Sequence, residues 1–242
     1  MSTYHYKKKI EKGKIFKDII LIYCITVLFV LLFNSILLQA FKIPTTSMEP
    51  SLKKDVRILV DKFSVGPKYP LMDKRIFDAT ESQVQRGDII AFYSNEYYNK
   101  GAFYRSITTF VYTISFTLID IPFLAKHYDS SVYVKRVVGV PGDRIKFRLI
   151  NDEVVLTING ISEKEIIPGN YQIVVENRAN SKLLTTMIIQ NEYILKDNEY
   201  YVLGDNRISS SDSRIWGSVK KDQILGKVIF KYWPLDSFGV AK

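Results

Sequence analysis

No charged residue occurs between Asp18 and Lys42, and the intervening run, IILIYCITVLFVLLFNSILLQAF (19–41), is apolar for most of its length. As a helix rising about 1.5 Å per residue it covers about 35 Å, and the hydrocarbon layer of a bilayer is about 30 Å thick. A chain with such a run is divided by it, one part on each side of a membrane. A cleaved secretory signal is the alternative reading, but its apolar region is ordinarily about 7–15 residues. Here Asn34, Ser35 and Gln39 also occupy the end of the run, so an uncleaved anchor is the reading adopted. Lys7, Lys8, Lys9, Lys12, Lys14 and Lys17 precede it. They make residues 1–18 a basic cytoplasmic tail and put the remainder outside. The same lysines carry much of the net charge of +9. With no basic–aromatic recognition motif in the chain, nucleic-acid binding is not expected.

Pro44 disfavours helix at Ile43, so the anchor helix is expected to end there. Ser47 follows closely and stays within about 20 Å of the end of the span even if the chain is fully extended. A serine hydroxyl is not a nucleophile at neutral pH without a neighbouring base. The chain has only His5 and His127. His5 lies across the span, and His127 reads most simply as a surface residue. A lysine is the other candidate, and Lys135 sits in the β-forming run VYVKRVVGV. Read alone, Ser47 is a turn or cap residue, and Lys135 is an edge-strand lysine that blocks aggregation. The single cysteine, Cys24, lies within the apolar run, which excludes an intrachain disulfide and a cysteine zinc site. Neither a metal nor another cofactor is expected.

Beyond the anchor the chain reads as mainly β. VRILV (56–60), DIIAFY (88–93), VYVKRVV (132–138) and KVIFKYW (227–233) are rich in β-branched and aromatic residues. VVLTI, then Asn159-Gly160, then ISEKEI is a hairpin signal, because both central positions of such a turn need positive φ. Segments 42–143 and 200–242 are expected to form an antiparallel β core, and 144–199 an inserted β-hairpin subdomain. Helical periodicity is scarce outside the anchor. The apolar stretch 107–124, ITTFVYTISFTLIDIPFL, is marginal as a second span. A full crossing would separate Ser47 from Lys135, so a segment that dips into the outer leaflet, or a core element, is preferred. Asp73, Asp78 and Glu81 read as a solvated loop.

Four segments together resemble the bacterial type I signal peptidases (leader peptidases), membrane-anchored serine–lysine endopeptidases of peptidase family S26. PTTSMEPSL (44–52) looks like their nucleophile box, RGDIIAFY (86–93) their next strand, and YVKRVVGVPGDRI (133–145) the box with the lysine. YYVLGDNRISSSDSRIWGSV (200–219) resembles their last box, and order and spacing agree. The resemblance implies a signal-peptidase-type antiparallel β-sheet domain behind one transmembrane helix in the bacterial cytoplasmic membrane. It implies secretory preproteins as substrates, with small residues at the first and third positions before the cut, and the lipid bilayer as a partner.

Carried over by position, Ser47 matches the nucleophile and Lys135 the general base. Thr45 matches a hydroxyl that supports the oxyanion, and Ser210 the serine that orients the lysine. Met48 and Pro50 shape the backbone around Ser47, Asp212 and Arg214 match a structural ion pair, and Asp205 closes a turn beside the site. Ile43, Val56 and Val134 are the expected walls of shallow substrate pockets. Ile208 and Thr46 depart from the family pattern, which commonly has Asp and Gly there. A lysine base must lose its proton near neutral pH, which burial among apolar groups favours. On a strand, Lys135 shares its face with Tyr133 and Val137, while Arg136 points the other way. Two other functions are compatible with these residues: a self-cleaving serine–lysine peptidase, and a non-enzymatic membrane-tethered β module that binds partners. Oligomeric state is not legible.

Overall fold

The computed structural model describes residues 2–69, 72, 74–77, 84–114, 131–150, 153–167, 173 and 192–241. The loop acids Asp73, Asp78 and Glu81, His127, and the 115–124 part of the apolar stretch lie outside the described residues.

The first element is helix α1, Ser2–Ile36. Its stretch Gly13–Asn34 is long and apolar enough to cross a membrane, and none of its residues is buried in the protein. The helix does not reach Pro44. Only Leu37 separates it from strand β1, Leu38–Lys42, so the end of the expected 19–41 anchor is strand. The correction has a clear cause. Residues 38–42 pair antiparallel with β2, Arg57–Asp61, with Leu38 opposite Asp61 and Lys42 opposite Arg57. Ladder pairing of the extended chain thus takes over before proline can act. The junction is held from the side: Lys62 Nζ donates to the Asn34 carbonyl at 2.7 Å, and Lys62 N donates to Leu37 O at 2.9 Å. A cation on the last carbonyls of a helix also complements its dipole.

The chain continues through β3 (Ile89–Tyr93), helix α2 (Asn95–Asn99), helix α3 (Gly101–Ile114) and β4 (Val132–Gly139). Next come β5 (Arg144–Ile150), β6 (Glu153–Ile158), β7 (Ile161–Ser162), a helical turn at Glu163–Ile166, and β8 (Tyr193–Ile194). The last part contains β9 (Glu199–Leu203), a turn of helix at Ser213–Trp216, β10 (Val219–Lys220), β11 (Ile224–Trp233) and β12 (Gly239–Val240).

The strands form a main antiparallel sheet in the order β1-β2-β11-β3-β4-β9-β10, with β12 on β11. A smaller sheet, β7-β6-β5-β8, comes from the inserted segment. The expected Asn159-Gly160 turn joins β6 to β7 with φ of 53° and 86°. The returning strand is short, however, because Glu163–Ile166 of the ISEKEI run turns helical. Among the described residues helix is scarce but not absent outside the anchor, the longest being α3. Its residues to Ile114 include the first part of the 107–124 stretch, so that part is neither strand nor loop.

Among the described residues, apolar side chains pack in three clusters. Ile43, Met48, Leu52, Val56, Ile58, Val60, Ile89 and Ala91 line one face of the main sheet. Ile90, Phe92, Val137, Tyr200, Val202 and Ile224 line the other. Val138, Ile145, Ile158, Leu195, Tyr201 and Leu203 join it to the smaller sheet. With both faces covered, the central strand β4 is buried from Lys135 to Gly139. Polar groups at those positions therefore lie where an unpartnered charge is expensive.

Candidate active site

Ser47 sits in a turn between β1 and β2, and Lys135 in the middle of β4. Residues 43–56 are closed on themselves by Ile43 N to Val56 O at 2.9 Å and Asp55 N to Ile43 O at 2.7 Å. Leu52 N donates to Met48 O at 2.8 Å, and the fully buried Met48 and Leu52 anchor the turn in the core. Pro50 is exposed. Ser47 is 7% and Lys135 4% exposed. The Lys135 amine donates to Ser47 Oγ at 2.7 Å, and the Thr45 hydroxyl lies 3.2 Å from the same oxygen.

Burial lowers the Lys135 pKa from 10.5 to about 8. The carboxylates of Asp212 and Asp205 oppose that shift, and the Arg214 guanidinium assists it. The register Ile90 opposite Lys135 and Phe92 opposite Tyr133 puts the lysine among apolar neighbours. Its amine lies 6.0 Å from the Tyr133 ring centroid.

A second loop, from Gly204 to Asp212, holds the serine from behind. Asn206 N donates to Ser47 O at 3.1 Å, and its side-chain amide donates to Thr46 O at 3.4 Å. Thr46, which departs from the family pattern, thus contributes its backbone to this contact. Gly204 is required by space: a β-carbon there would strike Ser210 Oγ and the Ser47 carbonyl oxygen. Asp212 accepts from Gly204 N at 3.0 Å and forms a two-pronged pair with Arg214, at 2.7 and 2.9 Å. Arg214 in turn donates to Arg207 O at 2.7 Å.

Ser210 belongs to this loop, but its buried hydroxyl has no hydrogen-bond partner among the described residues. The expected contact with Lys135 is thus not formed in this structure. The neighbouring Ile208 side chain is 53% exposed, so the departure there does not enter the core.

Three connections were not foreseen from the sequence. Arg136, the neighbour of Lys135, is buried and pairs with Asp205 through two bonds, at 2.8 and 2.7 Å. Asp205, read as a turn residue, is fully buried, and its pair ties β4 to the second loop. Arg136 also donates to Gly87 O at 2.7 Å and to the Ser51 hydroxyl at 3.1 Å. Arg207 donates twice to Glu163 of the inserted segment, at 2.9 and 2.5 Å. Arg86 pairs with Asp143 at 2.8 and 2.5 Å, and the guanidinium holds that carboxyl below its usual range against the opposing effect of burial. The signal available was three arginines in motif segments, each bound to need an acid once buried. The identity of each acid depends on tertiary contact. The expected pocket walls Ile43, Val56 and Val134 belong to one apolar cluster but differ in exposure. Ile43 and Val56 are buried in the core, and only Val134 keeps exposed surface.

A buried hydroxyl, an amine with a lowered pKa beside it, and a second hydroxyl within reach can together perform nucleophilic acyl transfer. The chain is similar to several known proteins. Signal peptidase IB of Staphylococcus aureus (strain Mu50 / ATCC 700699) is 27% identical, with 88% of each chain covered. Signal peptidase I of Buchnera aphidicola subsp. Baizongia pistaciae is 26% identical over 83% of this chain and 71% of that one. A crystal structure of a signal peptidase I from Enterococcus faecalis V583 is 23% identical with a TM-score of 0.31, covering 60% of this chain and 95% of that one. The family model for signal peptidase, peptidase S26, matches residues 16–233, nearly the whole sequence, and the chain belongs to that family.

Proposed function

We propose that this chain removes signal peptides from secretory preproteins at the outer face of the cytoplasmic membrane, with Ser47 as nucleophile and Lys135 as base. The observation that carries the reading is the 2.7 Å contact between two buried groups, Lys135 Nζ and Ser47 Oγ. In the working state the neutral amine accepts the Ser47 proton as the oxygen attacks the scissile carbonyl. The Ser47 N–H and the Thr45 hydroxyl donate to the oxyanion, each such donor lowering the barrier by about 2.7–4 kcal/mol. The lysine ammonium then protonates the leaving amine. Water, deprotonated by the same lysine, hydrolyses the acyl-enzyme. Ser210 would orient the amine by rotating its hydroxyl toward it, and the Asp212–Arg214 and Arg136–Asp205 pairs hold the loop and the strand in register. Val134 forms the accessible wall of a shallow pocket suited to small side chains. Helix α1 anchors the domain in the membrane, N-terminus inside.

The test is cleavage of a preprotein by the full chain in detergent. Ser47→Ala and Lys135→Ala should each abolish product while the thermal unfolding transition remains. Wild-type turnover in either variant would overturn the dyad. Cleavage confined to the enzyme's own chain would instead identify a self-processing peptidase.

A further inference from the structure

Helix α3 has one face engaged and one face bare. On the engaged face Arg105 and Thr108 are buried. The Arg105 guanidinium stacks 5.0 Å from the Tyr93 ring centroid and 4.9 Å from that of Tyr98, and Thr108 shares a 2.8 Å hydrogen bond with the Tyr97 hydroxyl. The bare face carries Phe103, Ile107 and Phe110 at 68%, 40% and 49% exposure. These positions are spaced i, i+4, i+7, so they form one apolar stripe. A contiguous exposed apolar stripe marks a site of protein or membrane contact.

The position of α3 identifies that occupant. The helix packs against α1, whose membrane-length stretch Gly13–Asn34 has no buried residue. Whatever surrounds α1 therefore extends to its neighbour. At the start of α3 the apolar stripe gives way to tyrosines interleaved with cations. Lys100 lies 5.5 Å from the Tyr104 ring centroid, and Lys68 lies 5.8 and 5.4 Å from those of Tyr93 and Tyr98. Tyrosine and lysine in this arrangement suit the level of lipid headgroups, and phenylalanine and isoleucine beyond them suit acyl chains.

We infer that α3 is a second membrane contact, lying in the leaflet on the catalytic side with Phe103, Ile107 and Phe110 among the acyl chains and the tyrosine–cation cluster at the headgroups. The inference rests on the proposal that α1 spans the bilayer. With one anchor the catalytic sheet could rotate about the α1 axis; with a second contact beside it, the domain has a fixed face toward the lipid.

The experiment uses the full chain with Cys24→Ser and single cysteines at Phe103→Cys, Ile107→Cys or Phe110→Cys. Each variant is spin-labelled and reconstituted in phosphatidylcholine–phosphatidylglycerol vesicles. Accessibility to oxygen and to a water-soluble nickel chelate is compared with labels at Leu28→Cys in α1 and Lys146→Cys on β5. Lipid contact predicts an oxygen-to-nickel ratio at the α3 positions several-fold above that at 146. Nickel accessibility matching that at 146 means water, and exclusion of both reagents means covering protein; either result overturns the inference. The label at 28 separates the two claims. If it is lipid-exposed and α3 is not, only the second contact fails. If it is also in water, the anchor reading fails. The three positions are exposed, so labels there do not disturb the core.

Discussion

Lys135→Met tests the dry-amine argument through stability rather than activity. The amine has a pKa of about 8 in the folded protein against 10.5 ordinarily. At 1.36 kcal/mol per pH unit, that gap corresponds to about 3 kcal/mol. The unfolded chain holds the proton between these two values and the folded protein does not. Stability therefore rises with pH from about 8 to 10.5, and the destabilisation is complete below 8. Methionine has similar length and no charge to bury. The stability of Lys135→Met relative to wild type should thus be greatest at pH 6, with about 2 kcal/mol of that advantage gone by pH 9.5. For a domain of this size the relative Tm shift is about 4–8 °C. Differential scanning fluorimetry of both proteins in detergent across that range reads it directly. Activity gives the matching result. Wild-type kcat/KM limited by the neutral amine should fall about fiftyfold from pH 8 to pH 6. A Tm difference independent of pH, or a rate flat over those two units, would refute the assignment of a dry lysine at this site.

Thr45→Val should lower kcat by about 10²–10³-fold with little change in KM, while Thr45→Ser keeps most activity, because only the hydroxyl serves the oxyanion; preprotein cleavage kinetics measure both. Arg136→Met leaves Asp205 charged, buried and alone, and should cost about 3–5 kcal/mol by chemical denaturation. Gly204→Ala pushes a methyl group against Ser210 Oγ and the Ser47 carbonyl oxygen. A displacement of the nucleophile by about 1 Å should reduce kcat by about 10²-fold, with circular dichroism near that of wild type.

The residues that meet at the site were legible because each motif carried its local physics with it. Short spacing alone keeps Ser47 near the end of the anchor, since strand pairing ends the helix before Pro44. Strand alternation gave Lys135 an apolar face, and the Asn-Gly turn fixed the β6–β7 hairpin. What the sequence could not show was partner choice across the fold. Nothing near Arg136 indicates Asp205, and nothing near Arg207 indicates Glu163, because those pairs form only when β4, the second loop and the inserted sheet come together. The end of α1 was placed too late because Leu38 and Phe41 read as membrane residues. Their strand character depends on β2, which follows later in the chain. Helix α3 is not legible in the sequence because its apolar residues, taken with those after them, resemble a continuous run rather than one stripe.

The passage from α1 to β1 through Leu37 alone leaves no flexible tether between the proposed membrane anchor and the edge of a sheet. Lys62 clamps both sides of that joint, so a tilt of the anchor must carry the sheet with it. If α1 spans the bilayer and Ser47 is the nucleophile, as proposed, that hydroxyl keeps a set height above the lipid. A preprotein would then be cut where its chain crosses that height, and the enzyme would measure its substrate from the bilayer as well as reading side chains.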